Sequence, residues 1–209
     1  MNNSNPASGN LRGRLLIIGV AVLTFGPFIL AWYMAKHPEW VGSTTNYGEL
    51  IAPPRPIDLA DLTVAPSMGD FPLAELKHRW VLAQLAPAGR CEAACQDALH
   101  RGKQVWLRLS KDLPRVRRLL VVDGAMDAAT LSAVKDGDDT LMLAQAAPGL
   151  RQSLEQTAWR RAPGDAADPA TTVWLIDPHG NLMMRYSLDY DPHGLLRDLQ
   201  HLLKISISG

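Results

Sequence analysis

Two cysteines constrain this chain more than any other feature. Cys91 and Cys95 are the only cysteines in 209 residues, and they closely follow an apolar run over residues 80–86. That run, closed by Pro87, predicts a buried strand, and a helix is predicted after it over residues 91–109. Cys91 would lie at the entrance of the helix and Cys95 one turn inside it, so both sulfurs would point the same way. The sequence therefore predicts a pair of thiols presented where a helix begins.

The counts of cysteines and of charges exclude several classes of protein. Two cysteines are too few for a disulfide-stapled scaffold, and a structural zinc site normally takes four Cys or His ligands. The 21 basic and 21 acidic residues give no net charge, which offers no electrostatic argument for binding nucleic acid. Three roles remain for the two cysteines: a redox pair, a binding site for a soft metal, or one structural disulfide.

An uncharged stretch over residues 15–34 predicts a transmembrane helix. At about 1.5 Å per residue it is long enough to cross one hydrocarbon core. The alternative is a cleaved signal peptide, which has a shorter apolar region that ends in a cleavage site with small residues. Trp32 and Tyr33 stand at that place instead, where they suit a membrane interface. We predict an uncleaved anchor, preceded by a disordered cytoplasmic tail over residues 1–14.

The charges around the predicted anchor indicate its orientation. Arg12 and Arg14 precede it, whereas Lys36 after it is offset by Glu39. The positive-inside tendency then places the N-terminus in the cytoplasm and residues 35–209 outside. In a bacterium this is a single-pass protein of the inner membrane with a periplasmic domain, where thiol pairs can be oxidised.

Residues 35–71 are rich in Pro, Gly, Ser and Asn and predict a linker. Proline favours an extended, semi-rigid path. One interpretation is a spacer that lifts the domain off the bilayer, and the other is a segment with few strands packed on the domain.

The remaining patterns predict an α/β domain over residues 72–209. Asp191 and Pro192 have the residue types of a helix N-cap and a first helical position, and a leucine stripe follows them. Before them, two apolar runs flank a Pro/Gly turn, which is typical of a hairpin. The predicted strands are 80–86, 119–122, 140–143, 172–176 and 182–187; the predicted helices are 91–109, 127–134, 149–161 and the segment after Asp191; residues 162–170 are a loop.

The chemistry of the pair depends on forming a thiolate. If Cys91 lies at a helix N-terminus, free backbone N–H groups and the helix dipole would stabilise its thiolate form. Arg90 would help and Glu92 would oppose this effect.

Two thiolates in one turn also suit Cu(I), which then needs a third ligand from elsewhere. His193 is the best placed candidate because the second hairpin strand returns toward the thiols; the alternative is an exposed histidine in a first helical turn. His100 and His179 are predicted to lie away from the thiols. Met183 and Met184 are adjacent in a strand and are predicted to pack rather than to bind copper.

These elements resemble the thioredoxin layout, with a central sheet flanked by helices. Residues 58–204 are similar to the Sco (SenC) family of membrane-anchored proteins that help to assemble cytochrome c oxidase. The resemblance is carried by CEAAC at residues 91–95 and by DPATTVWLIDPHG at residues 168–180. The blocks NYGELIAPPRPI, DPHGNLMMR and DPHGLLRDLQHLLK are similar to a divergent group of small transmembrane proteins met among bacterial oxidase-assembly genes.

The resemblance implies that Cys91 and Cys95 bind copper or pass electrons to the copper site of cytochrome c oxidase subunit II. The sequence departs from the family where Glu92 and Gln96 follow the cysteines in place of prolines. It departs again at Pro169, which stands where the family has its third copper ligand, a histidine. Pro169 is instead similar in place to the cis-proline that thioredoxins set opposite their thiols.

Three functions are therefore in competition. The leading hypothesis is a periplasm-facing Sco-like protein that assists oxidase assembly by copper handling or thiol exchange, with subunit II or another assembly factor as its partner. The second is a general thiol–disulfide oxidoreductase, which would react with unrelated dithiols. The third is a binding module in which the cysteines form a structural disulfide.

Overall fold

Residues 7–37, 46–64, 72–162 and 164–206 of a computed structural model are described, with side chains from residue 13 onward. The chain divides into two compact units, residues 1–45 and residues 46–209. The first unit contains helix α1 and the second contains a β-sheet with its helices.

Helix α1, Ala7–Lys36, contains the predicted anchor. Its part Gly13–Lys36 is long and apolar enough to cross a membrane. Large apolar side chains along it are exposed, Leu23 by 80%, and a bilayer would cover them. The prediction of a disordered tail was wrong for residues 7–14, which form the first turns of α1, while residues 1–6 lie outside the described part. Extending an existing helix requires no new nucleus, so the apolar span can carry polar residues with it.

The second unit is a mixed α/β fold. Its strands and helices are β1 Glu49–Pro56, β2 Leu62–Thr63, β3 Trp80–Ala86, α2 Ala93–Leu107, β4 Val116–Val122, α3 Ala128–Lys135, β5 Leu141–Ala146, α4 Pro148–Gln156, β6 Thr172–Ile176, β7 Asn181–Ser187 and α5 Pro192–Ile205. The strands of this described part form one seven-stranded sheet in the order β1-β7-β6-β3-β4-β5-β2. β3 is central, parallel to β4 and antiparallel to β6. The predicted thioredoxin-like layout of a central sheet flanked by helices is confirmed.

The sheet is covered on both faces because alternate residues of each strand enter different clusters. On β3, Val81, Ala83 and Leu85 pack in the cluster that contains the apolar residues of α4. Leu82 packs on the other face with α2 and α5, and Ala86 packs there with α2 and α3. All seven residues of β3 are buried. A strand buried on both faces reads as a continuous apolar run, which is why the sequence identified it.

The segment predicted as a linker contributes two strands to the sheet. β1 pairs with β7 and β2 pairs with β5, each at an edge of the sheet. The interpretation as a spacer was therefore wrong for residues 49–63. The alternative of a segment packed on the domain is correct in its placement but not in its lack of strands. Residues 38–45 and 65–71 lie outside the described part. The pairing of β1 shifts between Leu50 and Arg55, so Pro53 and Pro54 fall within the irregularity. Proline lacks an N–H group, so it is tolerated in strands only at edges and bulges. An edge strand that contains prolines therefore cannot be predicted from its residue composition.

The hairpin between β6 and β7 was predicted correctly. The side chain of Asp177 accepts hydrogen bonds from the backbone N–H groups of His179 and Asn181. Gly180 has a φ of 84°, a conformation that favours glycine. Asp191 likewise caps α5, with Pro192 at the first helical position.

Several predicted boundaries differ from the observed ones. The helix predicted over 91–109 is α2, Ala93–Leu107, and the one predicted over 149–161 ends at Gln156. Beyond α4, the N–H group of Trp159 donates to the hydroxyl of Thr172, which draws the chain toward β6. The strand predicted over 140–143 continues to Ala146.

A buried carboxylate ties β1 to α5. Asp198 is 4% exposed and accepts hydrogen bonds from the N–H groups of Tyr47 and Gly48 and from the hydroxyl of Tyr186. Burial, and then the charge of Asp198, raise the pKa of Tyr186 above its ordinary value, so this phenol stays a donor. Gly194 leaves room for the ring of Tyr47, since a Cβ there would lie 2.7 Å from it.

Replacing Asp198 by asparagine should lower the free energy of unfolding by about 2–3 kcal/mol, because hydrogen bonds to a charged acceptor are among the stronger ones. The side-chain amide of asparagine would also turn its own N–H groups toward the donors of Tyr47, Gly48 and Tyr186. The measurement is urea unfolding of the full chain in detergent, followed by tryptophan fluorescence. A loss below about 0.5 kcal/mol, which is ordinary for a surface substitution, would contradict this role of Asp198.

The candidate redox site

A tight turn delivers the cysteines from the end of β3. Residues Pro87–Gly89 form a single 3-10 turn in which Ala88 and Gly89 have φ values of 50° and 68°. Gly89 is buried, and a Cβ added to it would lie 1.9 Å from the carbonyl oxygen of Ala125. Only glycine fits this position, and the turn thereby sets where Cys91 lies.

Cys91 and Cys95 form a disulfide with an S–S distance of 2.05 Å. Helix α2 begins at Ala93 with Glu92 as its N-cap, so Cys91 precedes the helix instead of lying in its first turn. Cys95 is the third helical residue. The prediction that both sulfurs point the same way is confirmed by the disulfide, although Cys91 is placed there by the segment before α2 and not by the helix itself.

The disulfide is set in an apolar cluster. Cys91 is 3% exposed and Cys95 is 8% exposed. They pack with Ala86 at the end of β3 and with Leu99 of α2. Apolar surroundings disfavour thiolates. Thiol–disulfide exchange at this site therefore depends on nearby hydrogen-bond donors that stabilise the negative charge of the thiolate.

Local donors are available at the start of α2. The side chain of Glu92 accepts no hydrogen bond at the cap, which leaves the N–H groups of the first turn without that acceptor. Gln96 stands where the Sco family commonly has a proline, and its amide donates to the carbonyl oxygen of Cys91 at 2.8 Å. Arg90 and Glu92 are exposed, and their predicted opposite effects on Cys91 stay predictions.

A cavity of about 240 Å³ opens beside the disulfide. Its lining comes from the turn after β3, the start of α2, the segment before β6 and the end of β7, namely Leu85, Pro87, Arg90, Glu92, Ala94, Cys95, Ala170, Thr171 and Leu188. A second cavity of about 800 Å³ shares Ala94, Thr171 and Leu188 with it. The two cavities therefore adjoin, and we call them together the groove; Cys95 lines the smaller of them.

The segment facing Cys95 across the cavity begins at Asp168. Its side chain accepts from the N–H group of Ala170 and caps the short turn Pro169–Thr171. Among the described residues the cis peptide bond is Ala52–Pro53, so Pro169 does not reproduce a thioredoxin cis-proline. That expectation was wrong.

The histidines and methionines weighed as copper ligands lie elsewhere. His193 is exposed in the first turn of α5, and its N–H group donates to Asp191. His100 and His179 are exposed, and Met184 is 1% exposed within the core. Among the described residues, no group of three or more His, Cys, Asp or Glu side chains could hold a metal ion.

Sequence reasoning missed the residues that line the groove. Ala170, Thr171 and Leu188 carry no chemical signature, and only the fold brings them to Cys95. Gly89 could have been found, because a Pro-x-Gly sequence between a strand and a helix predicts a tight turn.

The comparisons with known proteins concern the same part of the chain. A family model described as "Transmembrane-like, thioredoxin-like, C-terminal domain" matches residues 80–206. No curated protein matches the sequence.

The chain is also similar in structure to solved Sco proteins. The apo Sco1 protein of Thermus thermophilus superposes with a TM-score of 0.54 at 22% identity, covering 75% of this chain and 96% of that one. BsSco, described as a Sco family member with a disulfide switch, gives 0.49 at 16% identity and covers 76% and 100% of the two chains. Copper-bound ScoI of Arabidopsis thaliana gives 0.47 at 14% identity and covers 64% and 89%. The first of these supports the fold that the resemblance implied.

Proposed function

The chain belongs to the family of transmembrane-like proteins with a thioredoxin-like C-terminal domain, and we propose that it is a membrane-anchored thiol–disulfide exchange protein that serves cytochrome c oxidase assembly. The observation that carries the exchange activity is the Cys91–Cys95 disulfide at the end of the central strand, next to a groove. The helix α1, with its candidate membrane span, supports the anchor.

A structural role explains the disulfide less well. The cross-link closes a loop of only five residues, and in the chain-entropy treatment such a short loop contributes about 2 kcal/mol, near the low end for disulfides. Both cysteines also pack in an apolar cluster with Ala86 of β3 and Leu99 of α2, so the disulfide is not the only contact that fixes them. A disulfide that is reversibly reduced explains its place beside an open groove better than a structural cross-link does.

The compartment and partner are part of the proposal. The charges flanking α1 favour a periplasmic domain, and the residue blocks shared with oxidase-assembly proteins favour cytochrome c oxidase subunit II or another assembly factor as the partner. A preference for the copper-binding domain of subunit II over an unrelated protein disulfide would separate this role from a general oxidoreductase. Equal rates with both would contradict it.

Copper fits this site less well than thiol exchange. While the sulfurs are bonded to each other they offer no thiolate, and the described residues supply no third ligand beside them. The assignment of His193 as that ligand stays a prediction. Titration of the reduced protein with Cu(I) against a chelator tests it: loss of affinity in His193→Ala would support the copper role, and unchanged affinity would exclude His193.

We expect the reduction potential of the pair to lie between about −270 and −120 mV, the range of known exchange proteins. It is measured by equilibrating the full chain in detergent with redox buffers and trapping free thiols, with the Cys91→Ser/Cys95→Ser double variant as the blank. A potential below about −300 mV would indicate a structural disulfide and contradict the proposed function.

A further inference from the structure

The two sulfurs of the disulfide differ in their access to the surface. Cys95 lines the 240 Å³ cavity, whereas Cys91 does not. Cys91 is also the less exposed of the two, at 3% against 8%. It lies between the buried turn at Gly89 and the first turn of α2, where its carbonyl is held by Gln96.

We propose that Cys95, the second cysteine, is the sulfur that a partner thiolate attacks. The inference rests on the proposed exchange function and reverses the role expected from the sequence, which placed the activated thiol at Cys91. Attack requires the incoming sulfur to approach along the S–S axis, and the cavity provides an approach to Cys95.

The exchange balances with a partner dithiol as the reductant. One partner thiolate bonds to the Sγ of Cys95; the Cys91–Cys95 bond breaks and its electron pair leaves on the Sγ of Cys91. The second partner thiolate then attacks the partner sulfur of this mixed disulfide, and Cys95 leaves with its electron pair. The partner ends as a disulfide, the cysteines end as two thiolates, and the two partner protons pass to solvent or to these thiolates.

The position of Cys91 suits a leaving group. A lower thiol pKa makes a better leaving group, and negative charge is stabilised near a helix N-terminus. Cys91 directly precedes the N-cap Glu92, whose side chain accepts none of the N–H groups of the first turn. These groups can therefore stabilise the charge that develops on Cys91 while Cys95 is attacked.

The groove also indicates where a substitution should block the attack. Ala94 is exposed and lines both cavities, whereas Cys95 lines only the smaller one. Its neighbour Ala93 is exposed as well but lines neither. A leucine at position 94 would narrow the approach to Cys95, and a leucine at position 93 serves as the matched control because both residues lie in the first turn of α2.

The first experiment compares single-cysteine variants of the full chain in detergent. Reaction with 5,5′-dithiobis(2-nitrobenzoate) should be at least about tenfold faster for Cys91→Ser, which retains Cys95, than for Cys95→Ser, because thiol exchange rates follow access as well as pKa. Measuring both rates across pH separates these two causes. A faster or equal rate for Cys95→Ser at full thiolate formation would overturn the proposal.

The second experiment uses the native disulfide, so it does not depend on how the single-cysteine variants pack. Reduction by dithiothreitol should be about tenfold slower in Ala94→Leu than in wild type and unchanged in Ala93→Leu, since access governs attack. Equal slowing by both leucines, or by neither, would overturn the assignment. If the wild-type disulfide stays oxidised in the redox buffers used to measure its potential, the proposed function itself fails, and this outcome is distinct from attack at the other sulfur.

Discussion

Replacing Gly89 by alanine should lower the free energy of unfolding by at least about 3 kcal/mol, with a left-handed backbone contributing about 1–2 kcal/mol of it. The rest comes from the collision of the new Cβ with the carbonyl oxygen of Ala125, 1.9 Å away. Relief of this collision moves the turn that sets the position of Cys91, so disulfide exchange should also slow. Denaturant unfolding and the rate of reduction by dithiothreitol measure the two effects.

Gly137 provides the control for this substitution. Its φ is 62°, close to that of Gly89, but a Cβ there meets nothing within 4 Å. Gly137→Ala should therefore cost only the backbone strain of about 1–2 kcal/mol and leave the exchange rate unchanged. Equal losses of stability in both variants would show that the contact with Ala125 is unimportant.

Replacing Arg118 by methionine should destabilise the domain by about 3–5 kcal/mol, the usual effect of breaking a buried ion pair from one side. Arg118 is 3% exposed and Asp138 is 7% exposed. The guanidinium donates to both carboxylate oxygens of Asp138, at 2.8 and 2.6 Å, and to the hydroxyl of Thr140. It also lies 5.4 Å from the ring centre of Trp106. Methionine fills the volume but leaves a buried carboxylate without its cation.

The pH dependence gives this prediction a definite sign. Burial alone would raise the pKa of Asp138, but the hydrogen bonds and charge of Arg118 outweigh it and lower the pKa. In wild type the pair therefore stabilises above the ordinary aspartate pKa of about 3.9, and this contribution is lost as the pH falls through the lowered value. In Arg118→Met the contributions of Arg118 are gone, and we expect burial, the largest influence on Asp138, to raise its pKa against the remaining effects of Thr140 and Lys103.

Arg118→Met should accordingly regain part of its free energy of unfolding as the pH falls from 7 to 5. Over the same range, protonation of Asp138 should not lower the free energy of unfolding of the wild type. Urea unfolding at both pH values measures the difference. Asp139→Asn, an exposed neighbour, is the control and should change the free energy of unfolding by less than about 0.5 kcal/mol. A parallel decline of Arg118→Met and wild type with falling pH would contradict the account.

The sequence predicted those parts of the site that depend on local chemistry. The apolar run before Cys91 identified the central strand, and the spacing to Cys95 identified the sulfur pair. The hairpin at Asp177 and the cap at Asp191 followed from turn and capping residues. The edge strand β1 was missed because its prolines lie within an irregularity of the pairing, and a proline-rich segment reads as a linker when its partner strand is unknown.

The order of residues was enough to predict the thiol pair, the strand that presents it and the candidate membrane helix, because each depends on residues close together along the chain. Which sulfur lines a cavity depends on contacts between distant parts of the chain, so it became visible only in the folded domain. The cavity at Cys95 is lined partly by Thr171 and Leu188, more than 70 residues farther along the chain. The spacing of Cys91 and Cys95 along the chain cannot show which of them is accessible, because the difference lies in what packs over each sulfur.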